Sequence, residues 1–192
     1  MSTYIIADLK LFNDKQRQKL GYSSFDQMNK AIIRSWNKII KPEDIVIIMG
    51  DNGDGTLEQM KSVISNLNGE LTATSKHLNE KFTKEEWKEI GFKHFWSVSM
   101  FNTLPDGREI LYIIKPIIDI NAYKNDYALL VVDSENPIEG MVKDIRLSVD
   151  AAKWGYSPLN TEELLTIYDN MKAFESMEET ETHSDIKEEG EE

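Results

Sequence analysis

An alternation of segments constrains this chain more than any other feature. Tyr4 to Asp8 is a short apolar run that ends in an acid, which reads as a buried first strand. From Ser24, a good N-cap, the apolar residues Met28, Ala31, Ile32, Trp36 and Ile39 recur at helical spacing. Pro42 stops that helix, and Asp44 to Met49 reads as a second buried strand running into Gly50 and Asp51. Thr56 then caps a second amphipathic helix, with Met60, Val63, Ile64 and Leu67 on its apolar side and Gly69 at its end. Strand, helix, strand, helix is the order of a βαβα unit, whose parallel strands place their C-terminal ends along one edge. The spacing therefore predicts an α/β domain with Asp8 and Asp51 at strand ends.

The second half reads differently. Phe95 to Phe101, Glu109 to Ile114 and Tyr127 to Val132 are predicted strands, and Pro105 to Gly107 supplies a hairpin turn. A further strand is expected around Ile145 to Val149, and a closing helix from Thr161 to Phe174, capped by Thr161. Of the formal charge of −12, a net −8 falls between Glu175 and Glu192, where nine acids face one lysine, so the remainder carries −4 (−12 less −8). That tail has almost no apolar content and is expected to be disordered, giving a domain over 1–174 and an acidic appendage over 175–192. The balance does not support a nucleic-acid surface, which needs clustered Lys and Arg. The chain has no cysteine, which excludes disulfides, thiolate metal sites and cysteine nucleophiles and fits a reducing cytoplasm. No targeting signal is read at the N-terminus, and no apolar run approaches the roughly 20 residues of a membrane span.

Several local patterns, taken together in order and spacing, resemble the calcineurin-like metallophosphoesterases, specifically small bacterial or phage members, over nearly all of residues 3 to 170. Tyr4 to Asp8 is similar to the family's first strand with its metal-binding aspartate. Phe25, Met28, Ile32, Trp36 and Asn37, with Lys41-Pro42-Glu43-Asp44, resemble the helix and turn before the second strand. Gly50-Asp51 stands where the Gly-Asp motif belongs, and Leu67-Asn68-Gly69 resembles the helix end before the third strand. Leu147 to Asp150, Trp154-Gly155-Tyr156 and Pro158-Leu159 resemble the closing strand and turn. The resemblance implies a sandwich of two mixed β-sheets flanked by helices, with metals held by loops at strand ends. Two such ions share a bridging hydroxide that attacks phosphorus.

The ligand positions depart from the family pattern. Asp8 is kept, but the histidine two residues on is Lys10. Asp51 is kept and could bridge two metals. Thr74-Ser75-Lys76-His77 stands for the Gly-Asn-His-Asp loop, where at most His77 keeps its type. The single histidine is replaced by Ile114, and the final Gly-His-x-His by Val131-Val132-Asp133-Ser134, so that Val132 and Ser134 stand at the ligand positions. Valine and isoleucine cannot bind a metal. Lys10 would put a cation where a cation used to sit, so it is expected to pair with Asp8, Asp51 or both, which would otherwise repel each other.

Other readings are plainer. Acids at strand ends also cap helices, and His77 is more readily a surface residue than a leftover ligand. Asp51-Asn52-Gly53-Asp54-Gly55 has the wrong acid spacing for a calcium loop and reads as a turn. Trp36, Trp154 and Tyr156 read as core anchors. Trp87, Phe92, Phe95, Trp96 and Phe101 cluster in sequence; a core reading is favoured, and they are also where an exposed apolar partner patch would lie.

The functional expectation is a pseudoenzyme with no catalytic residue, metal or cofactor, whose groove binds a protein partner. An inhibitor or modulator encoded by a bacterium or phage fits it. The alternatives are a phosphodiesterase with a reduced site, using one manganese or other divalent ion on Asp8, Asp51 and His77, and a nucleotide-binding sensor without hydrolysis.

Overall fold

The computed structural model describes residues 1–74, 81–96, 100–103, 109–113, 127–131, 151–152, 154–164, 166 and 170. Four parallel strands form its centre: β1 (Thr3–Ala7), β2 (Ile45–Met49), β3 (Glu70–Thr74) and β4 (His94–Trp96). With β8 (Leu159–Asn160), antiparallel to β1, they make a mixed five-stranded sheet of order β4-β3-β2-β1-β8. The connections are α1 (Asp14–Lys19), α2 (Phe25–Ile39), α3 (Leu57–Ile64) and α4 (Lys84–Ile90). Successive parallel strands joined by helices are the βαβ arrangement that the alternation predicts.

The helices start where the caps say. Ser24 accepts the Gln27 amide, and Thr56 makes a capping box with Gln59. A second box, Thr83 with Glu86, opens α4. Along the strands, alternate residues Ile6, Val46, Ile48, Leu71 and Ala73 face Met28, Ile32, Trp36, Met60, Val63, Ile64, Trp87 and Ile90 in one core. The intervening residues Ile5, Ala7, Ile47, Met49, Thr72 and Thr74 are also buried, so the sheet is covered on both faces.

A second, three-stranded sheet runs β5 (Met100–Thr103), β6 (Glu109–Ile113), β7 (Tyr127–Val131). The first pair is antiparallel, with Thr103 opposite Glu109 across the predicted hairpin, and the second pair is parallel. The expected single strand from Phe95 to Phe101 is corrected: its start is β4, on the edge of the first sheet, and its end is β5, in the second. Pairing partners decided this, since an apolar run carries no mark of the sheet each half joins. The strand expected over 145–149 and the tail over 175–192 lie outside the described residues.

The closing helix is present over residues 161–164, but Asn160 caps it: its Oδ1 accepts the Glu162 amide at 2.8 Å, while the Thr161 hydroxyl donates to Thr3 O. Among the described residues no helix is long and apolar enough to cross a membrane.

Asp44 fixes the start of β2. It is buried, and its carboxylate accepts the Ser2 amide at 2.8 Å and the Lys41 amide at 2.9 Å. Those amides, Lys41 first, hold its pKa below 3.8. Asp44→Ala is expected to lose about 2 kcal/mol, since two amides lose their acceptor. A carboxylate with a lowered folded pKa stabilises above its unfolded value and loses that contribution as pH falls through the folded one. Urea titrations should therefore show the deficit at neutral pH, narrowing below pH 3.8. A deficit constant with pH would mean that packing, not ionisation, carries the effect.

Candidate functional site

The strand ends meet as the alternation predicts. The β1–β2 ladder continues past the strands, with the Asp8 amide donating to Met49 O at 2.9 Å, and the Gly50 amide donates to Thr74 O at 2.9 Å. Asp8, Gly50-Asp51 and Thr74 therefore share one edge. Asp8 is buried, and its Oδ1 accepts the Asp51 amide at 2.8 Å; Asp51 is exposed, and its Oδ1 accepts the Gly53 amide at 2.8 Å. Both carboxylates thus hold backbone in place.

The two loops leaving this edge run side by side. The Lys10 amide donates to Asp51 O, the Leu11 amide to Asn52 O and the Asp54 amide to Leu11 O, and Leu11 and Gly53 form a parallel bridge. Alternation of buried Leu9 and Leu11 with Asp8, Lys10 and Phe12 is achieved with φ of 54°, 46° and 60° at the latter three. Left-handed conformations at non-glycine residues are costly, and three in five residues mark a loop held by its surroundings. Asn13 caps α1 through Oδ1 and donates from Nδ2 to Asp54 Oδ2 at 2.7 Å. Asn52 is buried, and among the described residues its Oδ1 has no hydrogen-bond partner.

A residue with no local mark to single it out joins this edge. The Lys81 ammonium donates to Gly53 O and lies 5.6 Å from the Phe82 ring centre. Partial burial pushes its pKa down, and the Asp54 and Asp51 carboxylates oppose that shift. Lys10 meets Asp51 through its backbone amide. His77, Ile114, Val132 and Ser134 lie outside the described residues. The Asp51–Gly55 segment is a loop pinned to Leu11 by the bridge at Gly53, and among the described residues no group of three or more His, Cys, Asp or Glu could hold a metal ion.

The aromatic cluster is internal. Phe82, Trp87 and Phe92 form edge-to-face pairs with centroids 5.1 and 5.3 Å apart, and Phe95 packs on Phe92 at 6.4 Å. Trp87 and Phe92 are buried and Phe95 is half-buried, so these three belong to the core and not to an exposed patch. Trp96 and Phe101 lie in β4 and β5 by backbone, and their side chains are outside the described residues. Trp36 and Tyr156 are core anchors, whereas Trp154 is only half-buried.

No family model matches the chain, and no curated protein matches it. Among solved structures the chain is similar to a protein of unknown function from Aquifex aeolicus, at 16% identity and a TM-score of 0.60 over 86% of this chain and 98% of that one. The likeness covers nearly the whole of that protein and is a likeness of fold.

Proposed function

We propose that the chain is a metallophosphoesterase-like scaffold whose strand edge has lost its catalytic metals and serves binding or regulation without turnover. The observation that carries this reading is the use of the two surviving acids. Asp8 and Asp51 each accept a backbone amide of the neighbouring loop, and a lysine ammonium sits on that same loop. Two-metal phosphoester cleavage needs carboxylates and imidazoles converging on two adjacent cations. The described donor set does not fit that requirement: Lys10 stands in place of one ligand, and Asp51 Oδ1 is turned back on Gly53.

The buried second face of the five-stranded sheet supports the finer fold reading, in which the sheet of β5, β6 and β7 packs over it as a sandwich. Function belongs to a site and not to a scaffold, so a protein partner at this edge is a part of the proposal that the fold alone does not supply.

The test is metal content, with turnover of bis-p-nitrophenyl phosphate, on protein purified without chelator and reloaded with manganese. The expected result is substoichiometric metal and turnover no greater than the protein-free blank. Turnover that Asp51→Ala abolishes would overturn the proposal and establish a one-metal phosphodiesterase.

A further inference from the structure

We propose that the outward face of α2 is a docking surface for the chain's own acidic segment, residues 175–192, which charge holds there. Between residues 30 and 41 the sequence carries Lys30, Arg34, Lys38 and Lys41 and no acid, in a chain whose acids outnumber its lysines and arginines 34 to 22. Met28, Ile32 and Trp36 of this helix face the core. Lys30, Arg34 and Lys38 each stand two residues further on, about 200° round the helix, and all three are exposed. They form a row with steps of about 6 Å, and Lys41 is exposed just beyond the helix end.

A solvated face alone does not account for this row. Helix α4 mixes Lys84 and Lys88 with Glu85, Glu86 and Glu89, whereas Arg34 has a lysine four residues away on either side. Like charges at that spacing destabilise a helix. The helix dipole does not account for the row either, because its benefit fades within the last turn and only Lys38 stands there. Among the described residues, Lys30 alone of the four is in an ion pair, with Asp26 at 2.8 Å. The complementary charge is in the same chain, where residues 175–192 hold nine acids and one lysine. The path of the chain towards that segment passes α2: Ser35, next to Arg34, donates to Gly155 O at 2.8 Å and meets Ser157 Oγ at 3.1 Å. A segment of this length reaches up to ~60 Å when extended, far more than the row of about 12 Å requires. An acidic partner or a nucleic acid would have to approach against a net charge of −12, whereas a tethered segment is already at high local concentration. The inference does not depend on the state of the strand edge.

Zero-length cross-linking of the dilute full chain tests it. A carbodiimide joins a carboxylate directly to a lysine amine, and mass spectrometry of the monomer band locates each junction. Acids of residues 175–192 are expected to join Lys30, Lys38 and Lys41 about fivefold more than Lys15, Lys19, Lys84 and Lys88, the factor that a good exposed ion pair gives. Those four control lysines are exposed on α1 and α4. The preference should vanish in about 1 M salt. Arg34→Glu is the decisive variant, because arginine is not itself joined by the reagent. It should remove the preference while placing an acid between Lys30 and Lys38, which strengthens the helix. Junctions spread evenly over the lysines, or a preference that Arg34→Glu leaves unchanged, would overturn the inference. Junctions to α2 found only in cross-linked dimers would overturn it too, assigning the face to the tail of a second copy.

Discussion

Gly53→Ala is expected to cost about 3 kcal/mol or more, the scale of combined backbone strain and overpacking. A β-carbon at this position would lie 2.1 Å from Leu11 O, 2.5 Å from Leu11 N and 2.7 Å from Leu11 C, inside the backbone of the neighbouring loop. No rotamer change relieves an overlap with main chain. The φ of +131° is itself a conformation that L-residues rarely adopt. To accept the methyl, the loop after β2 must move away from the loop after β1. That breaks the Leu11–Gly53 bridge, the Asp54 amide to Leu11 O bond of 2.8 Å and the Lys81 contact together. In a thermal melt the loss is roughly 6–12 °C. Gly21→Ala is the control: its φ is +76°, but nothing lies within 4 Å of its would-be β-carbon, so it pays only the left-handed penalty of about 1 kcal/mol. If the two variants melted together, the close approach of the loops would be wrong.

Whatever was legible in the sequence was local. Ser24 and Thr56 announced their helices because a side chain that accepts an N3 amide is a property of four consecutive residues. The strands of the βαβα unit were legible because burial on both faces makes an apolar run with a sharp end. Helix α1 was missed: of its six residues, Asp14 to Lys19, all are polar, and only the Asn13 cap betrays it. The division of Phe95 to Phe101 between two sheets depends on distant pairing partners, which no property of the run itself encodes.

The candidate site divides along the same line. Asp8 and Asp51 could be placed at strand ends because strand ends are local features. What their carboxylates do could not be read, since each accepts an amide whose position is set by the path of a left-handed loop. Lys81 was invisible for the same reason. It is 28 residues from Gly53, in a chain with 18 lysines, and only the folded backbone brings the two together. The aromatic cluster shows the converse limit. Composition located Trp87, Phe92 and Phe95 as a group, but inside and outside are distinguished by what packs against them.

Trp36→Ala is expected to have the largest effect, about 3–5 kcal/mol. Trp36 is fully buried near the C-terminal end of α2, between Ile32 and Ile40 on the core face of the helix. Its indole Nε1 donates to Asn68 O at 2.9 Å, so the side chain fills the core and also ties α2 to the turn that launches β3. The same turn is held by Asn37, which donates to Asn66 O and accepts the Asn68 amide, and by the Asn68 side chain on Ile40 O. Removing the indole empties a large volume and orphans a carbonyl, two penalties that add because the surrounding helix and turn are fixed by the asparagines and cannot close the gap. Trp36→Phe separates them: it keeps most of the apolar volume, loses the Nε1 donor, and should cost about 1–3 kcal/mol. Urea titration of the two variants should show both midpoints falling with an unchanged m-value, the alanine variant by at least twice as much. Equal losses would mean that the hydrogen bond to Asn68 dominates and that the helix–turn junction, more than the packed indole, sets the register in which β3 delivers Thr74 to the strand edge.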